Sequence, residues 1–277
     1  MLTFKDLPYE LQCKIFQFIG PADFSNVCSV SKYWNGAMND SITWIGRLKE
    51  NNMHSEPDIL HYILFDRKEM MNYYLLQRKT NLLKNINMDD GQGTLSGREN
   101  FPPNYEHWDY YHGDWRIERH IGCDPFPPEA GIAAYNTVTS YFSCSRKQKI
   151  DLTKWYPNIG NLIKSGFAVR LHWNVWIAAR YDCHSIYSAY IMYGDVNDSD
   201  DDCDDGDDSE RILLGKRDLP AGRKWTKLSS SVDLDPSKGT SFSYFESGQD
   251  SKFWAGHYGA KILNPTINVR IIPGSKN

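Results

Sequence analysis

Long apolar runs are missing from this chain of 277 residues. Nothing approaches the ~20 consecutive apolar residues that a membrane-spanning helix needs, and the mean hydropathy is −0.58. That excludes helical membrane insertion and fits a soluble globular chain. The opening MLTFKDLPYELQ carries Lys5, Asp6 and Glu10 and no apolar core segment, so no secretory signal is expected and the expected location is cytoplasmic. The six cysteines, at 13, 28, 123, 144, 183 and 203, form no CxxC pair and no cluster with histidine. Neither a zinc site nor a disulfide framework is expected from that scatter. A Gly-rich phosphate loop, H-E-x-x-H and G-x-S-x-G are all absent. No catalytic residue, metal or cofactor is therefore expected. A Lys/Arg-rich run is missing too, which argues against nucleic acid as a partner.

What is present is unevenly distributed. The net charge is only −4, but residues 195–210, DVNDSDDDCDDGDDSE, hold nine Asp and Glu210 with no Lys or Arg. Without those ten, 31 basic residues face 25 acidic ones, a balance of +6. The stretch does not fit an EF-hand. With Gly206 at loop position six, position one is Asp201, position three is Cys203 and position twelve is Ile212, where the loop needs Glu. Dense like charge with few apolar residues reads instead as a solvated loop between strands, able either to reshape recognition or to bias it electrostatically. Aromatics reach 14%, and seven of the nine tryptophans lie beyond residue 100. Such density builds either an aromatic core or a surface that stacks on ligands.

Periodicity separates the chain into two parts. Leu7, Leu11, Ile15, Phe18 and Ile19 recur at spacings of three and four, predicting an amphipathic helix over 6–19 that Gly20-Pro21 ends. Shorter helices follow from Asp23 through Val30 and from Lys32 to Met38, then a turn capped by Asp40 and Ser41, and a helical Tyr/Met pattern over 56–86. From about residue 87 Gly, Pro and Asn become frequent and the period changes to two. Phe167, Val169, Leu171, Trp173 and Val175 alternate with polar or small residues; 240–245 and 266–271 alternate in the same way. Weaker strand patterns lie at 137–144, 148–152, 185–193 and 224–234, and no helical pattern intervenes. The expected fold class is α+β, with N-terminal helices followed by an antiparallel β-sandwich. His172 falls on the polar side of its strand and reads as solvated.

Leu7-Pro8-x-Glu10-Leu11, Ile15-Phe16, Ile19, Asp23-Phe24, Val27-Cys28-x-Val30-x-Lys32-x-Trp34-Asn35, Trp44 and Leu48 together resemble an F-box over about 43 residues. The resemblance implies a small helical bundle that buries apolar surface on the Skp adaptor of a cullin–RING ubiquitin ligase. It assigns Leu7, Pro8, Leu11, Ile15 and Phe16 to the adaptor-facing surface.

The remainder resembles the F-box-associated domain of the sugar-recognising F-box family. The resemblance rests on Asn81-Leu82-Leu83-Lys84-Asn85, Trp115 with Ile117-Glu118, Cys144-x-Arg146-Lys147-Gln148-x-Ile150-Asp151-Leu152, Trp176, Arg180-x-Asp182, Tyr187 and the run from Gln249 to Ala260. It implies an F-box at 1–48, a helical linker at 49–82 and a jelly-roll-like β-sandwich at 83–275. In that family, loops at one end of the sandwich grip the core of high-mannose N-glycans on misfolded glycoproteins. Tyr141, Asp182, Phe253 and Trp254 match positions of that pocket. Several glycan-binding members carry Tyr-Trp-Lys where this chain has Phe253-Trp254-Ala255, Phe where it has Tyr141, and an acidic residue where it has Ser188.

The resemblance thus implies a non-catalytic substrate receptor of a ubiquitin ligase, working with the Skp adaptor, a cullin scaffold and a glycoprotein substrate. Two alternatives stay open: a domain that has given up glycans for a protein surface, and a binding module that works outside the ligase.

Overall fold

The structure, a computed structural model, describes residues 6–16, 18–19, 24–38, 43, 81–86, 100–101, 105–130, 135–157, 159–164, 166–193, 211–252 and 256–273. The chain divides into two compact units. One comprises Met1–Thr80, Thr153–Val169 and Val269–Asn277; the other comprises Asn81–Leu152 and Arg170–Asn268.

Three short helices open the first unit: α1 (Tyr9–Phe16), α2 (Phe24–Val30) and α3 (Lys32–Met38). None is long enough to hold its shape alone, so packing must supply the stability. Cys13 and Phe16 are buried, and the Phe16 ring meets Trp34 edge-on at 5.6 Å. Ser31 opens α3 by accepting from the Trp34 amide through its hydroxyl. Helix α1 is shorter than the 6–19 expected from periodicity. Pro8 supplies the first acceptor, to the amides of Leu11 and Gln12, and Phe18 and Ile19 lie in a turn closed on Ile15 and Phe16. The turn expected at 40–48 is described only at Thr43, whose hydroxyl donates to the Ala37 carbonyl. Of the helical pattern expected over 56–86, residues 56–80 lie outside the described residues, and 81–86 are not helical.

Eleven strands follow among the described residues. Five form one sheet in the order β2 (Tyr110–His112), β5 (Cys144–Asp151), β10 (Ser241–Asp250), β7 (Ser185–Met192) and β8 (Arg211–Leu219). Six form the other, in the order β1 (Asn100–Phe101), β3 (Trp115–Glu118), β4 (Asn136–Thr139), β11 (Lys261–Pro273), β6 (Phe167–Ala178) and β9 (Thr226–Asp233). The β1–β3, β3–β4, β4–β11, β6–β9, β2–β5, β5–β10, β10–β7 and β7–β8 pairings are all antiparallel. The architecture is a few N-terminal helices followed by an antiparallel sandwich. A short helix, α4 (Ile159–Lys164), interrupts the strands where no helical pattern was expected.

Strand β6 shows why the sheets face each other. Val169, Leu171, Trp173, Val175 and Ile177 are buried and alternate with half-exposed Arg170, His172 and Asn174. His172 faces outward and shares a hydrogen bond with Ser231. The Trp173 indole N–H points across the interior to the Tyr244 hydroxyl on β10.

The interior also holds charge. Arg146 on β5 is completely buried, lies between the rings of Trp108 and Trp115, and donates through Nε (2.8 Å) and Nη2 to the Glu246 carboxylate on β10. Glu246 also accepts from the hydroxyls of Tyr187 (2.7 Å) and Tyr244 (3.0 Å). Burial, then the Glu246 charge, push both phenols well above their ordinary pKa. A second buried pair joins Lys261 on β11 to Glu118 on β3. Burial pushes the Lys261 ammonium down to about 7, and the Glu118 carboxylate against it works in the opposite sense.

Residues 81–86 belong to the sandwich. Asn81 donates to the Pro265 carbonyl and accepts from the amides of Leu83 and Ile267. The Gln148 side chain accepts from the Lys84 amide and donates to the carbonyls of Lys84 and His107. The Asn-Leu-Leu-Lys-Asn run thus strings this segment onto β5 and β11.

Candidate functional site

Two surfaces hold the residues singled out in the sequence, one in each unit. The first is the outer face of α1. Gln12, Cys13 and Phe16 turn inward, which sends Leu11 and Ile15 outward at 48% and 45% exposure, with Phe18 just beyond at 72%. Pro8 is exposed and Leu7 half-buried, its carbonyl accepting from the Gln12 side chain. Val30 on α2 and Tyr33 on α3 are also exposed. An apolar ridge on so small a bundle is the mark of a surface that another protein covers. Phe16 does not belong to it. It was expected to face the adaptor, but its ring fills the interior against Trp34.

The second surface is one end of the sandwich. Strand β10 ends at Asp250, and its hydrogen bonds there gather three loops. The Asp250 amide donates to Ser140 in the β4–β5 loop, and the Ser251 amide to His184 in the β6–β7 loop. Lys252 donates from its ammonium to the Asp182 carbonyl and from its amide to the Asp250 carboxylate. Farther on, the Gly259 amide donates to the Thr139 carbonyl, and the Thr139 amide to the Ala260 carbonyl. The loops of Tyr141 and Asp182 are thereby tied to both flanks of the β10–β11 loop. Phe253, Trp254 and Ala255 lie outside the described residues.

Tyr141 is half-exposed, and its ring centre lies 4.0 Å from that of Phe142, which is 56% exposed. Sequence reasoning missed Phe142, because an aromatic in a turn has no periodic signal. Asp182 is held by Arg180: Nε lies 2.9 Å from Oδ1, a close approach of charges at an angle too poor for a hydrogen bond. Arg180 in turn lies over Tyr258 at 4.1 Å and Tyr181 at 5.4 Å, and Arg223 from the β8–β9 loop lies 5.3 Å from the Tyr181 ring. Burial works against the Arg180 charge. The Tyr181 and Tyr258 hydroxyls and the Asp182 carboxylate outweigh it, and the pKa is raised. On the same loop as Tyr258, His257 lies 3.1 Å from Asp114. Burial and Arg116 lower its pKa against the pull of Asp114.

The acidic stretch 195–210 lies outside the described residues, but its roots do not. Strand β7 starts at the candidate site with Ser185 and ends at Met192, which pairs with Arg211 at the start of β8. The stretch therefore leaves from the opposite end of these strands, roughly 25 Å away for eight residues of extended chain. Ser188 shares a hydrogen bond with Ser247 on β10.

Comparison with known proteins fits this division. Residues 4–47 match the F-box-like family. Over a longer span the chain is 25% identical to F-box only protein 44 of Mus musculus, across 71% of this chain and 70% of that protein. It is 28% identical to F-box only protein 27 of Macaca fascicularis and 25% identical to F-box only protein 17 of Homo sapiens, in each case across 59% of this chain and 55% of the relative. The chain thus spans about half the length of those two relatives. Among solved structures, TmCBM61 in complex with beta-1,4-galactotriose is 11% identical over 68% of this chain and 97% of that one, with a TM-score of 0.36. A cyclase from Fischerella sp. TAU is 10% identical over 70% and 98%, with a TM-score of 0.42. Likenesses that weak add nothing to the architecture already described.

Proposed function

We propose that this chain, which carries an F-box-like domain and is related to F-box only proteins 44, 27 and 17, is a non-catalytic substrate receptor of a cytoplasmic cullin–RING ubiquitin ligase. The F-box at 1–48 docks on the Skp adaptor, a linker from 49 to 80 follows, and the domain from Asn81 onward presents the substrate. The observation that carries this reading is the apolar ridge of Leu11, Ile15 and Phe18 on the F-box-like helices. A Leu11→Asp/Ile15→Asp double variant tests it. Each carboxylate would be desolvated without a partner on docking, and central interface positions commonly cost ~2 kcal/mol or more apiece. Adaptor affinity of the full chain should fall by roughly a hundredfold or more, while circular dichroism and melting temperature stay near wild type because both side chains are already half-exposed. Capture of the adaptor by the double variant at wild-type affinity would sink the proposal.

The other surface supports a reading of the substrate class. Loops that bring Tyr141, Phe142 and Asp182 to the base of the Phe253-Trp254 loop suit a sugar, whose C–H faces stack on aromatic rings while polar groups fix its hydroxyls. We assign this end to the high-mannose N-glycans of misfolded glycoproteins destined for degradation. A titration of high-mannose glycopeptide against wild type and Trp254→Ala should show at least a thirtyfold loss from truncating the central aromatic anchor. Equal binding to the two proteins would remove Trp254 from the site. No binding to wild type would turn the reading toward a protein surface.

A further inference from the structure

Tyr258, Arg180, Tyr181 and Arg223 form a ladder in which aromatic rings and guanidinium groups alternate, at 4.1, 5.4 and 5.3 Å from ring centre to guanidinium carbon. It joins three loops at the end of the sandwich assigned above to glycan. Its two cations are in different situations. Arg180 is largely enclosed, paired with Asp182 and raised in pKa. Its charge is already committed. Arg223 ends the ladder on an exposed residue, and among the described residues no carboxylate forms a salt bridge with it within 4.0 Å. The Tyr181 ring beneath it is 47% exposed.

Backbone bonds hold the main chain that carries that guanidinium. The Arg223 carbonyl accepts from the Asp124 amide at 2.8 Å, and the Asp124 carbonyl accepts from the Trp225 indole at 2.9 Å. The Gly222 amide donates to the Arg180 carbonyl. Gly122, at φ +72°, brings the neighbouring loop so close that a Cβ there would lie 3.0 Å from Arg180 Cγ. The surrounding charge points the same way. Segments 119–125, 179–184, 220–225 and 251–260 contribute five Lys and Arg against two Asp, one of which Arg180 already neutralises. The acidic stretch is rooted at the other end of β7 and β8.

An exposed guanidinium beside a half-exposed aromatic ring suits an oxyanion, since the planar fork matches phosphate or carboxylate oxygens two at a time. We infer that the Arg223–Tyr181 rung is an anion subsite at the rim of the glycan site, so that this chain prefers glycans carrying an acidic group, a phosphate monoester or a sugar carboxylate, over neutral ones. The inference rests on the glycan reading given above.

The test is calorimetric titration of the full chain with two matched pairs: a high-mannose glycopeptide phosphorylated on mannose and the same sample after phosphatase, and a sialylated complex-type glycopeptide and the same sample after sialidase. Each acidic form should bind roughly tenfold tighter than its neutral counterpart, a preference that shrinks in 0.5 M salt. Arg223→Gln should bring each acidic form to within about twofold of its neutral counterpart and leave the neutral forms unchanged. Arg223→Lys, which keeps the charge but not the fork, should keep only part of the preference. Phosphate and sialic forms compared with each other identify the acid. Neutral and acidic forms binding alike to wild type would overturn the subsite and leave the glycan reading standing. Acidic forms binding through Arg223 with no measurable neutral binding would keep the subsite and remove the neutral glycan. Binding of none would end both.

Discussion

Glu246→Ala should unfold the sandwich at markedly lower denaturant than wild type. Removing the carboxylate leaves Arg146 as a completely buried cation between Trp108 and Trp115. It also leaves the hydroxyls of Tyr187 and Tyr244 without their shared acceptor. Breaking one partner of a buried ion pair costs about 3–5 kcal/mol, which for a domain of this size lowers the melting temperature by on the order of 10 °C. The rings already hold the cation in wild type, where desolvated cation–π contacts are worth about 2 kcal/mol or more, so they do not replace the lost partner. Urea unfolding followed by tryptophan fluorescence reads the effect directly.

The pair itself is not where the stability lies. Arg146→Met/Glu246→Gln removes both charges, keeps an amide oxygen to accept from Tyr187, and fills the space between the indoles with a flexible apolar chain. That double variant should be more stable than Glu246→Ala, because an unpaired buried charge costs more than a neutral substitute. If the double variant melts below Glu246→Ala, the cost comes from packing rather than from charge.

The same network explains which parts of the fold could be read beforehand. Strand β6 was legible because its inward positions are all apolar. Strand β5 showed only its last residues, since Arg146 and Gln148 occupy inward positions and break the alternation. Their partners, Glu246 and the 84–85 turn, are distant in sequence. Strand β8 was invisible for a different reason. It lies at a sheet edge, with Leu213 outward, Lys216, Arg217 and Asp218 exposed, and a register shift beside Ala189 and Tyr190. The F-box helices were legible as a pattern, but periodicity could not separate the ridge from the interior. Leu11, Ile15 and Phe16 are equally apolar, and only packing against Trp34 turns Phe16 inward. At the sandwich end, Asp182 was nameable from family position alone. Lys252 reaches the Asp182 carbonyl and Arg223 reaches the Tyr181 ring from separate loops, so no local spacing announces them.

Gly259→Ala should separate binding from folding. The loop that carries Phe253 and Trp254 returns to β11 through Gly259, whose amide donates to the Thr139 carbonyl at 3.0 Å. A Cβ at 259 would lie 2.2 Å from Thr139 Oγ1, 2.7 Å from the Thr139 carbonyl oxygen and 2.8 Å from that of Ser140. The hydroxyl can rotate away; the two backbone oxygens cannot, because Thr139 ends β4 and Ser140 accepts from Asp250. The β4–β5 loop and the β10–β11 loop must therefore part. Overpacking of this kind costs about 1–3 kcal/mol, and here it falls on loop contacts while the buried faces of β5, β6, β7 and β10 stay in place. Affinity for high-mannose glycopeptide should drop by roughly tenfold to a hundredfold through lost pre-organisation. Amide exchange should quicken at Asp250, Ser251 and Gly259 and stay slow in β6 and β7. A variant that binds as wild type does, with those amides still protected, would show that the contact between the two loops does not set the geometry of the site.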